Sequence, residues 1–205
     1  MVDAFGLEAR QRVVEDFVRS QPKLVAIPGS IRTYSANLAV LRTLADHCSA
    51  RVSVDIFGLH HIPPYNADLD TDTPPGAVES LRAAIEQSDG LIICSPEYNY
   101  GIPGVLKNAL DWASRPAYNS SLKGKPALIM TASTGQFGGA RAQSPIRECL
   151  SATLCRVVIR PQIAIPRIDK KIAGGRLTDP FTLSQIDEAI EDLIKEVKLG
   201  KGAAP

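Results

Sequence analysis

Three short polar stretches hold the side chains of this chain that could grip or transform a ligand, and each directly follows an apolar run. Gly29-Ser30-Ile31-Arg32-Thr33-Tyr34-Ser35-Ala36-Asn37 follows Leu24-Val25-Ala26-Ile27-Pro28. Ser95-Pro96-Glu97-Tyr98-Asn99-Tyr100-Gly101 follows Leu91-Ile92-Ile93-Cys94. Thr131-Ala132-Ser133-Thr134-Gly135-Gln136-Phe137-Gly138-Gly139 follows Ala127-Leu128-Ile129-Met130. A monophosphate dianion is stabilised by N–H donors, by the positive end of a helix dipole and by a permanent cation. The stretch from Gly29 offers all of these, with the hydroxyls of Ser30, Thr33 and Ser35, the Arg32 guanidinium and the Asn37 carboxamide ahead of a helical pattern. A serine-capped helix with no ligand is the plainer reading of Ser35. The stretch from Ser95 is rich in rings and backbone donors, which suits a flat ligand. The small residues of the third stretch let backbone approach a ligand closely. Glu97 invites a general-acid role, but a carboxylate beside a turn more often fastens that turn.

Those stretches act together only if the flanking elements bring them to one place. The apolar runs at 23–28, 91–94 and 127–130 read as buried strands, and 51–57 as a strand with one wetter face near a sheet edge. A fifth strand is expected at 157–159, before Ile163-Ala164-Ile165. Helical spacing follows Asn37 with Leu38, Val40, Leu41 and Leu44 inward, covers residues 77–88, and restarts at Pro103 with Leu106, Leu110 and Trp112. Further helices are expected at about 140–152 and at 182–198, the last entered through Thr182, with fraying from Gly200. Strands alternating with helices argue a parallel sheet covered on both faces, whose ligand edge lies at the carboxyl ends of the strands. The connection at 58–76 is long for a plain link and reads as a functional rim or a partner contact. Residues 1–22 form an N-terminal helical extension with an apolar stripe, and residues 23–200 form one domain.

With 205 residues and a formal net charge of +1, nothing marks a nucleic-acid or membrane partner, and a small molecule is the expected one. No run nears the roughly 20 apolar residues that span a bilayer, so a cytoplasmic protein is expected. The four cysteines, Cys48, Cys94, Cys149 and Cys155, lack metal-ligand spacing and read as reduced thiols, while His60-His61 has no third ligand nearby, so no metal is expected. Neither G-x-G-x-x-G nor G-x-x-x-x-G-K-[ST] occurs after the strands, which disfavours a dinucleotide fold site and a P-loop and leaves a mononucleotide.

On these residues the chain resembles the NADPH-dependent FMN reductase family, flavodoxin-like oxidoreductases that include soluble quinone and chromate reductases. The likeness runs from about Lys23 to Ile168. It is carried by Ser95-Pro96-Glu97-Tyr98-Asn99-Tyr100 with Pro103-Gly104 and Leu106-Lys107-Asn108-Ala109-Leu110-Asp111-Trp112, by Gly29-Ser30-Ile31-Arg32 with Ser35 and Asn37, and by Thr131-Ala132-Ser133 with Gly135 and Gly138-Gly139-Ala140-Arg141. The resemblance implies an α/β three-layer sandwich, a flavodoxin-like fold with a five-stranded parallel sheet in the order 2-1-3-4-5 and FMN at the edge of strands 1 and 3. It implies that Ser30, Arg32, Ser35 and Asn37 hold the phosphate, that Pro96, Glu97, Tyr98 and Asn99 meet the isoalloxazine, and that Ser133 and Gly135 close its other side. No side chain is then catalytic, since the flavin carries the chemistry from NADPH or NADH to a small acceptor. The acceptor classes implied are quinone, free flavin, azo compound, chromate and ferric chelate, and the assembly implied is a homodimer or homotetramer. Two departures stand out: the first 21 residues, and Ser144 where chromate-reducing relatives often carry tyrosine. The alternatives are a flavodoxin-like electron carrier, disfavoured because such carriers are strongly acidic, and a regulatory scaffold that kept the fold.

Overall fold

Alternation along the apolar runs decides the layers. In the computed structural model, which describes residues 21–202, strand β1 (Lys23–Pro28) sends Leu24 and Ala26 to one side of the sheet and Val25 and Ile27 to the other. Strand β3 (Gly90–Ser95) divides Ile92 and Cys94 from Leu91 and Ile93, and β4 (Pro126–Ala132) divides Leu128 and Met130 from Ala127 and Ile129. Strands buried on both faces need a helical layer on each. Helices α1 (Ala36–His47) and α5 (Pro180–Gly202) bring Val40, Leu41, Leu44, Ile186, Ile190 and Leu193 to the first face. Helices α2 (Gly76–Glu86), α3 (Gly104–Ala113) and α4 (Ala140–Ala152) bring Leu81, Ile85, Leu106, Leu110, Ile146 and Leu150 to the second. Each such side chain contributes about 1.5–3 kcal/mol on burial, and a slip of one residue would exchange the two faces, so the register is strongly specified. The expected N-terminal extension lies outside the described residues except for its last two positions.

The sheet is parallel in the order β2-β1-β3-β4-β5, with β2 (Ser53–Ile56) at one edge, so the flavodoxin-like topology is as expected. Only the fifth position differs. The strand expected at 157–159 stops at Val157, and the position is filled by two short strands, β5 (Arg156–Val157) and β6 (Ile163–Ile165), both paired with β4. Ile159 stands 95% exposed between them. Pro161 has no N–H to give to a ladder, which accounts for the break. The hairpin of β7 (Ile172–Ala173) and β8 (Arg176–Leu177) was not anticipated, although its Gly174-Gly175 loop, at φ 56° and 74°, is a strong hairpin signal. It is fastened to α1 by the Leu177 N–H donating to Thr43 Oγ1 at 2.9 Å.

Helix α1 buries Val40, Leu41, Leu44 and also Asn37, while Leu38, expected inward, is only half-buried. Helix α5 begins at Pro180 rather than Thr182, because Pro is tolerated in a first turn, and the Asp179 carboxylate accepts from the Thr182 N–H at 3.0 Å. It continues through Gly202, past the expected fraying point. Among the described residues no helix is long and apolar enough to cross a membrane, and no group of three His, Cys, Asp or Glu could hold a metal ion.

The long connection after β2 is fastened to the helices at Pro63, Tyr65 and Asp70. Pro63 O accepts from Asn108 Nδ2 and Trp112 Nε1, both at 2.8 Å, and the Tyr65 N–H donates to Asn108 Oδ1 at 2.7 Å. Trp112 is fully buried, so it is core, as its helical spacing implies, and also a latch for this loop. Further on, Asp70 accepts from Arg82 at 2.8 Å and from Arg115 at 2.9 Å. The hydrogen bond from Arg82, and then that from Arg115, holds the Asp70 carboxyl below the usual carboxylate range. A depressed carboxylate stabilises the fold above its unfolded value near ~4 and loses that contribution as pH falls through its folded value. Asp70→Asn is therefore expected to cost roughly 1–3 kcal/mol in denaturant titrations at pH 7. The difference from the parent chain should narrow as pH drops below about 4; a difference independent of pH would show that the ionised carboxylate is not what matters.

Candidate functional site

The strand registers bring the three polar stretches to one edge. Pro28 lies opposite Cys94, Ser95 opposite Thr131, and Ala132 opposite Ile165, so the chain leaves β1, β3 and β4 at the same level. Gly29 makes the first junction possible: its N–H donates to Cys94 O at 2.8 Å, and a Cβ there would lie 2.4 Å from Ser95 Oγ and 2.8 Å from Ser95 Cβ. Any side chain would push the tips of β1 and β3 apart.

The first stretch is a turn that feeds α1. Ser35, 5% exposed, caps the helix by accepting from the Leu38 N–H at 3.3 Å, so the plainer reading of this serine holds whether or not a ligand is present. Ser30 is 6% exposed and accepts from the Arg32 N–H at 3.3 Å. Arg32 is exposed, and among the described residues its guanidinium makes one hydrogen bond, from Nη2 to the Tyr34 carbonyl at 3.3 Å. The backbone N–H groups of Ile31, Thr33, Tyr34, Ala36 and Asn37 take no hydrogen bond among the described residues. Free donors at a helix N-terminus, two hydroxyls and an uncommitted guanidinium make a donor set that fits an oxyanion. His60 Nε2 donates to Ile31 O at 2.9 Å and so ties the long connection to this turn; the carbonyl can only accept, which assigns the proton to Nε2.

Asn37 takes a different part from the one the resemblance implies. It is 3% exposed, gives Nδ2 to Ala132 O at 3.3 Å and accepts from Cys94 Sγ at 3.3 Å. Its side chain therefore links α1 to the tips of β3 and β4, beneath the turn, and positions the donors above it.

In the second stretch Tyr98 and Gly101 exchange two backbone hydrogen bonds of 3.1 and 3.0 Å around Asn99 and Tyr100, at φ 49° and 65°. Two central residues at positive φ make a primed turn, which Asn tolerates and Tyr does not favour. Glu97 faces away from free chemistry: Oε2 accepts from the Arg141 N–H at 3.0 Å and Oε1 from Arg141 Nη1 at 3.4 Å, so the carboxylate fastens the turn to the first turn of α4. The Arg141 guanidinium in turn lies 4.5 Å from the ring centre of Tyr100 and 5.1 Å from that of Phe137. Pro96 is buried, while Tyr98, Tyr100 and Phe137 are exposed at the rim.

The third stretch is shaped by β6. The Ser133 N–H donates to Ile165 O at 3.1 Å, Ser133 Oγ accepts from the Gly135 N–H at 3.1 Å, and Gly135 O accepts from the Arg167 N–H at 3.2 Å. Gly138 and Gly139 sit at φ 59° and 80°, and a Cβ on Gly138 would lie 2.6 Å from the backbone of Ala164 and Ile165. Between the first and third stretches opens a cavity of about 310 Å³, lined by Arg32, Ser35, Arg42, Thr134, Ile168 and Asp169. Ser30, Arg32, Ser35, Pro96, Glu97, Tyr98, Asn99, Ser133 and Gly135 thus lie on one edge. Sequence reasoning missed His60 and Arg141, which hold the first and second turns, and the part that Asn108 and Trp112 play in fastening the long connection at Pro63 and Tyr65. Arg141 and Asn108 lay inside the quoted motifs; His60 carried no periodic signal.

The family model for NADPH-dependent FMN reductases matches residues 22–170. An NAD(P)H-dependent FMN reductase of Pseudomonas aeruginosa is 38% identical over 172 residues, spanning 83% of this chain and 92% of the relative. A quinone reductase of Escherichia coli K12 is 38% identical over 184 residues, spanning 86% and 97%. Among solved structures, the flavoenzyme NAD(P)H:(acceptor) oxidoreductase of Paracoccus denitrificans superposes with a TM-score of 0.76 at 32% identity, covering 85% of this chain and 98% of that one.

Proposed function

Because the chain belongs to the NADPH-dependent FMN reductase family and is therefore an NAD(P)H-dependent, FMN-using oxidoreductase of the quinone reductase type, we propose that it binds FMN across the three strand-end turns and passes its electrons to a quinone. The observation that carries this placement is the convergence of the free N–H groups around Ile31–Asn37, Ser30, Arg32 and Ser35 at the N-terminus of α1, beside two turns that leave the same sheet edge. These donors fit a phosphate monoester, whose charge near −2 needs several of them. When bound, FMN supplies the redox chemistry, taking hydride from the nicotinamide and giving electrons to the acceptor.

The chain's own residues bind and orient. Arg32 supplies the permanent charge for the phosphate, and Ser30 and Ser35 supply hydroxyls. Pro96 to Asn99 present the backbone of a turn that Glu97 and Arg141 keep rigid, which suits the polar edge of a flat ring system. Ser133 and Gly135 face it from the turn after β4. The exposed rings of Tyr98, Tyr100 and Phe137 give an aromatic acceptor an apolar rim to lie against. Quinones come first among the acceptors; flavin, azo compounds, chromate and ferric chelates compete for the same open slot. Such a set of exposed aromatics also supports a homodimer or homotetramer with α3 near the interface.

The purified protein, reconstituted with FMN, should oxidise NADPH or NADH in the presence of benzoquinone and sediment as a multiple of the chain mass. FMN binding without quinone-dependent turnover would sink the acceptor assignment, and a single-chain mass would sink the assembly.

A further inference from the structure

A cluster of cations lines a cavity at the opposite edge of the sheet, where the loop after α3 returns to β4. Leu122 is fully buried and anchors this loop, and its carbonyl accepts from Cys155 Sγ at 3.2 Å. With Leu122 pinned, Ser120 and Ser121 are held beneath the surface; Ser120 is 8% exposed, and neither hydroxyl has a hydrogen-bond partner among the described residues. Buried hydroxyls without partners are costly, by about 1–3 kcal/mol each, unless something else fills their bonds.

Ser120 and Ser121 belong to the lining of a cavity of about 510 Å³ that also includes Arg82, Arg115, Lys123 and Lys125. Asp70 holds the two arginines from one side only. Arg82 uses Nε and Nη2, Arg115 uses Nε, and Arg82 Nη1 and both terminal nitrogens of Arg115 have no partner among the described residues. The Lys123 ammonium has no partner among the described residues either, and Lys125 donates only to the carbonyls of Glu86 and Ser88. Burial pushes the Lys125 ammonium down, a direction that a nearby anion would reverse. Carboxylates near these cations are those of Asp70, Glu86 and Asp89, fewer than the cations.

We propose that this cavity is a site for a phosphate-class oxyanion, bound by the free guanidinium nitrogens of Arg115 and Arg82 and by the ammonium of Lys123. Tetrahedral oxygens can take donors from several directions at once, which a set of guanidinium and ammonium groups supplies. The space exceeds what a bare phosphate fills, so a phosphomonoester with a small substituent also fits. The site is independent of the one at the other sheet edge.

The test is calorimetric titration of the FMN-loaded protein with inorganic phosphate in a phosphate-free buffer, with AMP as a phosphomonoester arm. One saturable site per chain is expected, weakening with added salt. Lys123→Gln should weaken it by about tenfold or more, as expected for loss of a charge-assisted bond, with FMN affinity and melting temperature unchanged. The binding should persist in Arg32→Ala. Tighter binding of AMP than of phosphate would identify a monoester as the occupant, and the reverse would identify the free ion. No saturable heat, or binding lost in Arg32→Ala and retained in Lys123→Gln, would overturn the proposal.

Discussion

Gly138→Ala is expected to destabilise the chain by about 2–5 kcal/mol, the sum of a left-handed backbone cost and an overpacking cost. The glycine sits at φ 59°, and the added methyl would meet the backbone of Ala164 and Ile165 at 2.6 Å, where no flexible side chain can yield. Either β6 moves away from β4 or the third turn moves away from the site. Thermal unfolding should fall by roughly 4–20 °C, given about 2–4 °C per kcal/mol for a chain of this size. FMN binding should weaken in parallel. Gly174→Ala is the internal control, since φ there is 56° but nothing lies within 4 Å of the added carbon, leaving only the backbone cost. If the two variants melt at the same temperature, the close approach of β6 to this turn does not exist in solution.

Arg32→Ala is expected to weaken FMN binding by about 1.5–3 kcal/mol, roughly 10- to 150-fold in dissociation constant, the range for a hydrogen bond to a charged partner. Arg32 is exposed and makes one long bond to its own turn, so stability without ligand should change by no more than about 0.5 kcal/mol. The separation of the two effects is the informative part. A variant that binds FMN as the parent does would move the phosphate away from this turn, whereas one that simply unfolds would give Arg32 a structural role that its contacts do not show. Quenching of flavin fluorescence on binding, measured at fixed salt, checks the first, and a denaturant titration of the apoprotein checks the second.

Much of the scaffold was legible because its signals are local. Runs such as Leu91-Ile92-Ile93-Cys94 cannot be buried except as a doubly covered strand, and the alternation of such runs with helical spacing leaves few arrangements other than the parallel sheet observed. The fifth strand was misplaced because Val157-Val158-Ile159 is apolar enough for a strand, while its fate is decided by Pro161 and by what Ile163–Ile165 can pair with. The candidate site divides in the same way. The free donors before α1 follow from a serine, an arginine and a helix start adjacent in the chain. The inward turn of Asn37 does not, because it depends on Ala132 O and Cys94 Sγ, 95 and 57 residues away. Glu97 and Arg141 are likewise 44 residues apart, and only the shared sheet edge makes them partners.

The FMN-soaked crystal structure is the most direct measurement of where the cofactor lies. Its phosphate should be found within hydrogen-bond distance of Ser30, Arg32 and Ser35 and of the free N–H groups at the start of α1, with the ring system against residues 96–99. A phosphate in the cavity of Ser120 and Lys123, or a ring system away from the turn at Tyr98, would contradict the placement derived from the three strand-end turns.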